Sequence, residues 1–122
     1  MIRIISGKYK NSNLSIPNGE KVRPTSSIKR DSLFNILSSK FLKLGIENFF
    51  SDKIILDCFA GSGALGIEAL SRGGKFCFFI EKNKKVYLNL KKNCEIIPKK
   101  KYGIINSDFL KINHDKLKID KS

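Results

Sequence analysis

A short apolar run, Ile54-Ile55-Leu56, ends on Asp57 and leads within four residues into a bend built on Gly61-Ser62-Gly63. That order suits a buried strand turning sharply into a helix. Three consecutive bulky residues fit a strand covered on both faces, so a strand is predicted over 53–57. Glycines at 61 and 63 let the backbone turn and let a ligand come close to it. A helix is expected from about Ala64 to Arg72, ended by Gly73-Gly74 in the left-handed manner. The same alternation then repeats. Phe76-Cys77-Phe78-Phe79-Ile80 reads as a second buried strand, ending at Glu81. Asn83 can cap a helix to about Cys94 or Glu95, closed by Pro98, and Tyr102 to Asn106 reads as a third strand, ending at Asp108. The order β-α-β-α-β predicts an α/β fold with a parallel sheet and right-handed crossovers.

Upstream, Ile2-Arg3-Ile4-Ile5 and Asn13-Leu14-Ser15-Ile16 read as two strands of a hairpin around the turn-rich segment 6–12. Pro24 holds Arg23 extended, and Thr25 or Ser26 can cap a helix to about Leu42. Leu33, Phe34, Ile36, Leu37, Phe41 and Leu42 recur at near-helical spacing, which predicts one buried face. The tail from Phe109 to Ser122 has no clear period. Residues 1–45 are read as a hairpin-and-helix extension, and 46–122 as part of a Rossmann-like domain.

Three chemical features fall at the carboxyl ends of successive strands: the glycine loop after Asp57, then Glu81, then Asp108. Open α/β sheets bind ligands at that edge. A carboxylate at 81 can accept from both ribose hydroxyls of a nucleoside, and one at 108 from the exocyclic amine of adenine. Gly61-Ser62-Gly63-Ala64-Leu65-Gly66 also fits the dinucleotide pattern GxGxxG. Asp57 separates the two cases. Its charge beside the loop repels a diphosphate and attracts the ammonium and sulfonium of S-adenosylmethionine. The bland alternative is a tight turn whose helix Asp57 caps, which leaves the acids ending both later strands unexplained.

The net charge of +13, from 24 basic and 11 acidic residues, fits a polyanionic partner such as RNA or DNA. The basic excess is nearly all lysine, 20 Lys to 4 Arg, beside 17 Ile and 10 Asn. AT-rich coding also produces that bias, so charge alone leaves the partner open. The Lys99-Lys100-Lys101 run reads as a solvated turn. Apolar runs of five or six residues fall far short of the roughly 20 that span a membrane, and the opening MIRIISGKYK lacks a secretory signal's apolar core. Cys58, Cys77 and Cys94 are odd in number and widely spaced, which predicts plain thiols in a reducing cytoplasm. The lone His114 has no partners at metal-ligand spacing, so no metal is expected.

The segment from Asp57 through Gly61-Ser62-Gly63 to Glu68-Ala69-Leu70-Ser71-Arg72-Gly73 resembles motif I of the bacterial RsmD family, 16S ribosomal RNA guanine-N2 methyltransferases. Arg3-Ile4-Ile5-Ser6-Gly7-Lys8-Tyr9-Lys10 is similar to that family's opening hairpin. Arg23-Pro24-Thr25 with Arg30 and Leu33-Phe34-Asn35-Ile36-Leu37 is similar to its RPT helix. The resemblance covers nearly all of residues 2–110 and implies a Rossmann-like S-adenosylmethionine-dependent methyltransferase sheet. The cofactor-binding positions it implies are Asp57, Phe59, Ala60, Gly61, Ser62, Gly63, Glu81, Asp108 and Phe109. Asp57, Gly61 and Gly63 would hold the methionine part, Glu81 the ribose and Asp108 the adenine. Arg3, Lys8, Arg23, Thr25 and Arg30 would lie beside the cofactor or the RNA.

The implied partner is 16S ribosomal RNA or the small-subunit particle. The family's catalytic motif, an acid or Asn followed by two prolines and an aromatic, has no counterpart among Pro17, Pro24 and Pro98. No catalytic residue is therefore assigned. A non-catalytic cofactor- or RNA-binding remnant and an adenine-specific nucleic-acid methyltransferase are the competing readings. In this fold the strand at 53–57 is central, so without its second neighbour the segment alone is expected to be poorly soluble, swapped or completed by another chain.

Overall fold

In the computed structural model, residues 2–17 and 24–112 are described, without the side chains of 24–27. A two-stranded antiparallel ribbon, β1 (Ile2–Arg3) and β2 (Asn13–Leu14), comes first, with Ile2 opposite Leu14. Helix α1 (Pro24–Lys43) follows. Then come β3 (Ile54–Asp57), α2 (Ala64–Ser71), β4 (Phe76–Ile80), α3 (Lys84–Asn93) and β5 (Tyr102–Ile105). The three later strands form one parallel sheet in the order β3-β4-β5, with Asp57 level with Phe79 and Ile80 level with Ile105. A parallel sheet with α2 and α3 packed on one face is a Rossmann-like arrangement.

Register puts one face of the sheet into the main core. Ile55, Cys77, Phe79, Tyr102 and Ile104 pack there with Ile67 of α2 and Leu90 of α3, and the ribbon contributes Ile4 and Leu14. The expectation that 53–57 is covered on both faces is corrected. Ile54 and Leu56, which point to the opposite face, are 41% and 44% exposed, because α2 and α3 pack on the other side. Phe76 and Phe78 lie edge to face on that open side, their centroids 4.8 Å apart.

Three further expectations are adjusted. Helix α1 begins at Pro24, so neither Thr25 nor Ser26 is its cap; proline is suited to the first helical position because its missing N–H would have no partner there. Its buried stripe is also narrower than the apolar spacing predicts. Arg30 and Phe34 are buried and Leu37 and Phe41 half-buried, whereas Leu33, Ile36 and Leu42 are exposed. The helix touches the rest through Phe34 against Phe50 and Phe41 stacked on Phe49. Finally, the ribbon strands are shorter than predicted. The amides of Ile5 and Ser6 donate to the Glu68 carboxylate at 2.9 and 3.1 Å, and the amide of Ser15 donates to Asn93 Oδ1 at 2.8 Å. Those groups therefore leave the ladder.

The ribbon sits on the end of α2. Ser71 Oγ donates to the Ser6 carbonyl and accepts from the Tyr9 amide, while the Ser71 carbonyl accepts from the Lys8 amide. Gly7 has φ +88°, and a Cβ there would lie 2.0 Å from the Ser71 carbonyl oxygen, so only glycine permits this contact. Glu68, fully buried, holds the assembly together. Beyond the two ribbon amides it accepts from Arg72 Nε at 3.0 Å and stands 3.5 Å from Arg30 Nε. Arg30 also donates to the Arg3 carbonyl.

Candidate functional site

The carboxyl edge of the sheet gathers the acids that the sequence singles out. Asp57 ends β3, with the backbone amides of Gly66 and Phe59 turned toward its carboxyl. Its Oδ2 is buried and has no hydrogen-bond partner among the described residues. Burial pushes the Asp57 carboxyl above its ordinary 3.8, and the negative charge of Glu81 adds to the rise, against the lowering effect of the two amides. A buried, unpaired carboxylate oxygen is costly and calls for a cation or donor.

Glu81 follows β4 and closes the loop. Its Oε1 accepts from the Gly61 amide and its Oε2 from the Asn83 amide, both at 2.9 Å. Each oxygen keeps a second lone pair for a hydroxyl. The backbone behind it is fixed, since Ser107 N–H and Asn106 Nδ2 both donate to the Glu81 carbonyl. Asp108 caps the turn 109–111 by accepting from the Leu110 amide at 3.0 Å. Phe109 and Phe59 face each other edge on at 6.4 Å, and Phe59 is 79% exposed.

The two loop glycines answer to different constraints. At Gly61 (φ +55°) a Cβ would have nothing within 4 Å, so its surface is open to a ligand. Gly63 (φ +88°) would place a Cβ 2.6 Å from Leu90 Cδ1, so internal packing, not ligand approach, demands its glycine. Ala60 is buried beside them, its amide donating to the Ile80 carbonyl, and Ser62 lies on the loop crest.

The remaining expected positions are dispersed. Arg3 and Lys8 lie exposed on the ribbon. The Arg30 side chain is turned inward to the Arg3 carbonyl and Glu68, yet it shares a groove of about 440 Å³ with Leu33, Ser62 and Leu65. Thr25 lies in the first turn of α1, its side chain outside the described residues, as is all of Arg23. The thiols are free; burial pushes Cys77 strongly upward and Cys94 to about 12, so neither is a ready nucleophile. Among the described residues no group of three or more His, Cys, Asp or Glu could hold a metal, and no helix is long and apolar enough to cross a membrane.

Sequence reasoning passed over Glu68, Ser71 and Asn93. A signal existed for Glu68: it is the sole charge in the otherwise apolar helix Ala64–Ser71.

The donor set fits S-adenosylmethionine better than a dinucleotide. Asp57 offers an unsatisfied anionic oxygen to an ammonium, whereas a diphosphate would meet both Asp57 and Glu81.

Comparison with known proteins identifies the family. The family described as "Conserved hypothetical protein 95" matches residues 2–120. The chain is 41% identical over 112 residues to "Ribosomal RNA small subunit methyltransferase D" of Buchnera aphidicola subsp. Acyrthosiphon pisum, covering 92% of this chain and 51% of the relative. It is 37% identical over 107 residues to the protein of the same name from Escherichia coli K12, covering 88% of this chain and 50% of the relative. Among solved structures, yhhF of Escherichia coli superposes with a TM-score of 0.73 at 38% identity, covering 89% of this chain and 54% of that one. The chain thus spans about half the length of the curated relatives it matches.

Proposed function

The chain belongs to the conserved hypothetical protein 95 family, the RsmD family, and from that premise we propose that it binds S-adenosylmethionine as part of an enzyme that methylates a guanine exocyclic amine in small-subunit (16S) ribosomal RNA. The observation that carries the reading is Glu81, whose Oε1 accepts from the Gly61 amide beside a backbone surface open to a ligand, with the unpartnered Asp57 carboxylate oxygen on the preceding strand end. When bound, S-adenosylmethionine supplies a methyl group activated by its sulfonium.

The chain's own residues bind and orient. Asp57 neutralises the ammonium, and the free lone pairs of Glu81 take the ribose hydroxyls. Asp108 takes the adenine amine, with Phe59 and Phe109 flanking it. Ala60, Ser62 and Gly63 shape the loop. Arg3 and Lys8, on the exposed ribbon of a chain carrying +13, hold RNA phosphates by charge in a cytoplasmic setting. Residues 1–45 serve as the RNA-facing extension, in which the family resemblance gives Arg23, Thr25 and Arg30 a role toward the cofactor or the RNA. Rate enhancement in such a transfer comes mainly from placing the amine in line with the methyl group.

Calorimetry with S-adenosylmethionine and with NAD tests the cofactor, and labelled methyl transfer to undermethylated small subunits tests the reaction, with Gly61→Asp as control. Binding of S-adenosylmethionine that the control loses is expected, and any transfer should be lost with it. Binding of NAD alone would sink the cofactor assignment; cofactor binding without transfer would favour a non-catalytic binding module.

A further inference from the structure

Asn93, the last residue of α3, is only 5% exposed, and every hydrogen-bonding position of its carboxamide is filled. Oδ1 accepts from the Ser15 amide at 2.8 Å and from Ser15 Oγ at 3.0 Å. Nδ2 donates to the Ser15 carbonyl at 2.9 Å and to the Ser62 carbonyl at 2.8 Å. One side chain thus joins the end of the ribbon, 78 residues away, to the crest of the glycine loop. We propose that Asn93 is a positioning residue that sets cofactor affinity by locking the Ser62–Gly63 peptide and keying it to the ribbon, an inference that rests on reading the glycine loop as the S-adenosylmethionine site.

The peptide plane is held at both ends. Its carbonyl accepts from Asn93, and its amide, that of Gly63, donates to the Ala60 carbonyl at 2.8 Å. A loop ordered before the ligand arrives loses less freedom on binding. Only a carboxamide can offer two donors and two acceptors at this spot. An aspartate would set an anionic oxygen against two carbonyls, and a leucine would leave buried backbone groups unpaired. Asn89 provides the internal control. It donates to the Ser15 carbonyl at 2.9 Å, competes with Asn93 for the single Ser15 hydroxyl proton, and makes no bond to Ser62.

The test compares wild type, Asn93→Asp and Asn89→Ala by thermal melting, calorimetric titration with S-adenosylmethionine, and amide hydrogen exchange of residues 61–63 without ligand. Both variants should melt below wild type. Asn93→Asp should bind about tenfold more weakly and exchange faster in the loop, whereas Asn89→Ala should stay within about twofold of wild-type affinity. If Asn93→Asp does not fold, Asn93→Ser, which cuts the link without adding a charge, carries the same comparison. A folded Asn93 variant with lowered melting but wild-type affinity and loop exchange would overturn the proposal, since a purely structural residue would behave that way. Wild-type protein that ignores S-adenosylmethionine, while the exchange difference persists, would overturn the cofactor reading and leave the loop-locking role standing.

Discussion

The Gly61 amide donates to Glu81 Oε1 at 2.9 Å, so the acid that ends β4 also closes the loop that leaves β3. Loop closure and the proposed ribose contact therefore share one carboxylate. Glu81→Gln keeps one acceptor for Gly61 but turns an NH₂ group toward the Asn83 amide, now donor against donor. Hydrogen bonds to charged groups contribute about 1.5–3 kcal/mol, so affinity for S-adenosylmethionine should fall roughly ten- to a hundredfold. Titration calorimetry on the folded variant reads this directly; unchanged affinity would remove Glu81 from the site.

Asp57 makes the site pH-dependent. Because burial holds its carboxyl above 3.8, the folded chain takes up a proton at a higher pH than the unfolded chain does. As pH falls through the window above 3.8 the folded state binds more protons, so Asp57's contribution to the stability of the ligand-free chain rises there. Affinity for a cationic cofactor should fall over the same window, because the charge that attracts it is lost. Asp57→Asn should flatten both profiles and weaken cofactor binding at pH 7, while leaving the ligand-free melting temperature equal or higher. A variant that binds as well as wild type would contradict the charge argument.

Glu68 predicts a different signature, in stability. Removing a fully buried carboxylate leaves Arg30, Arg72 and the amides of Ile5 and Ser6 without their shared partner. Breaking a buried pair typically costs about 3–5 kcal/mol, so Glu68→Ala should lose that much in urea denaturation. Exchange of the Ile5 and Ser6 amides should speed up ahead of global unfolding. A wild-type denaturation midpoint would show that the ribbon does not depend on Glu68.

What could be read from the sequence was what is decided locally. The Asn83 cap accepts from Val86 N, Gly73 takes φ +117° at the end of α2, and β4 spans Phe76–Ile80 as its apolar run predicts. The acids at 57, 81 and 108 could be placed because strand ends in a parallel sheet share one edge. The ribbon ends could not be, because Glu68 and Asn93 take their amides from 63 and 78 residues away. The spacing of Leu33, Ile36 and Leu42 on α1 was equally uninformative, since apolar periodicity does not say whether a packing partner exists. The charge of Asp57 was visible, but its burial and its orphaned oxygen were not.

The open face of β3 yields a solubility prediction. Ile54 and Leu56 stand exposed on a strand that is the edge of the sheet among the described residues, and with Leu37, Phe49 and Leu65 they line a largely apolar groove of about 350 Å³ that ends at Asp57. Such an edge templates association, and a lysine there opposes it. Leu56→Lys should shift light-scattering size distributions of this 122-residue chain toward monomer without lowering its melting temperature. Equal self-association in both proteins would place the sticky surface elsewhere.

The two loop glycines should separate stability from binding. Gly63→Ala forces a side chain into left-handed φ at +88° and presses its Cβ to 2.6 Å from Leu90. Strain and overpacking of this kind cost about 1–3 kcal/mol each, so the variant should be clearly destabilised. Gly61→Ala meets no atom within 4 Å and bears only the milder strain of φ +55°, about 1 kcal/mol. Its methyl group, however, occupies the surface that a ligand would approach, so its affinity for S-adenosylmethionine should drop more than its stability does. Denaturation and calorimetry on the pair give opposite rankings if Gly63 serves packing and Gly61 serves the ligand. Identical rankings would mean that the open surface at Gly61 is not where the cofactor lies.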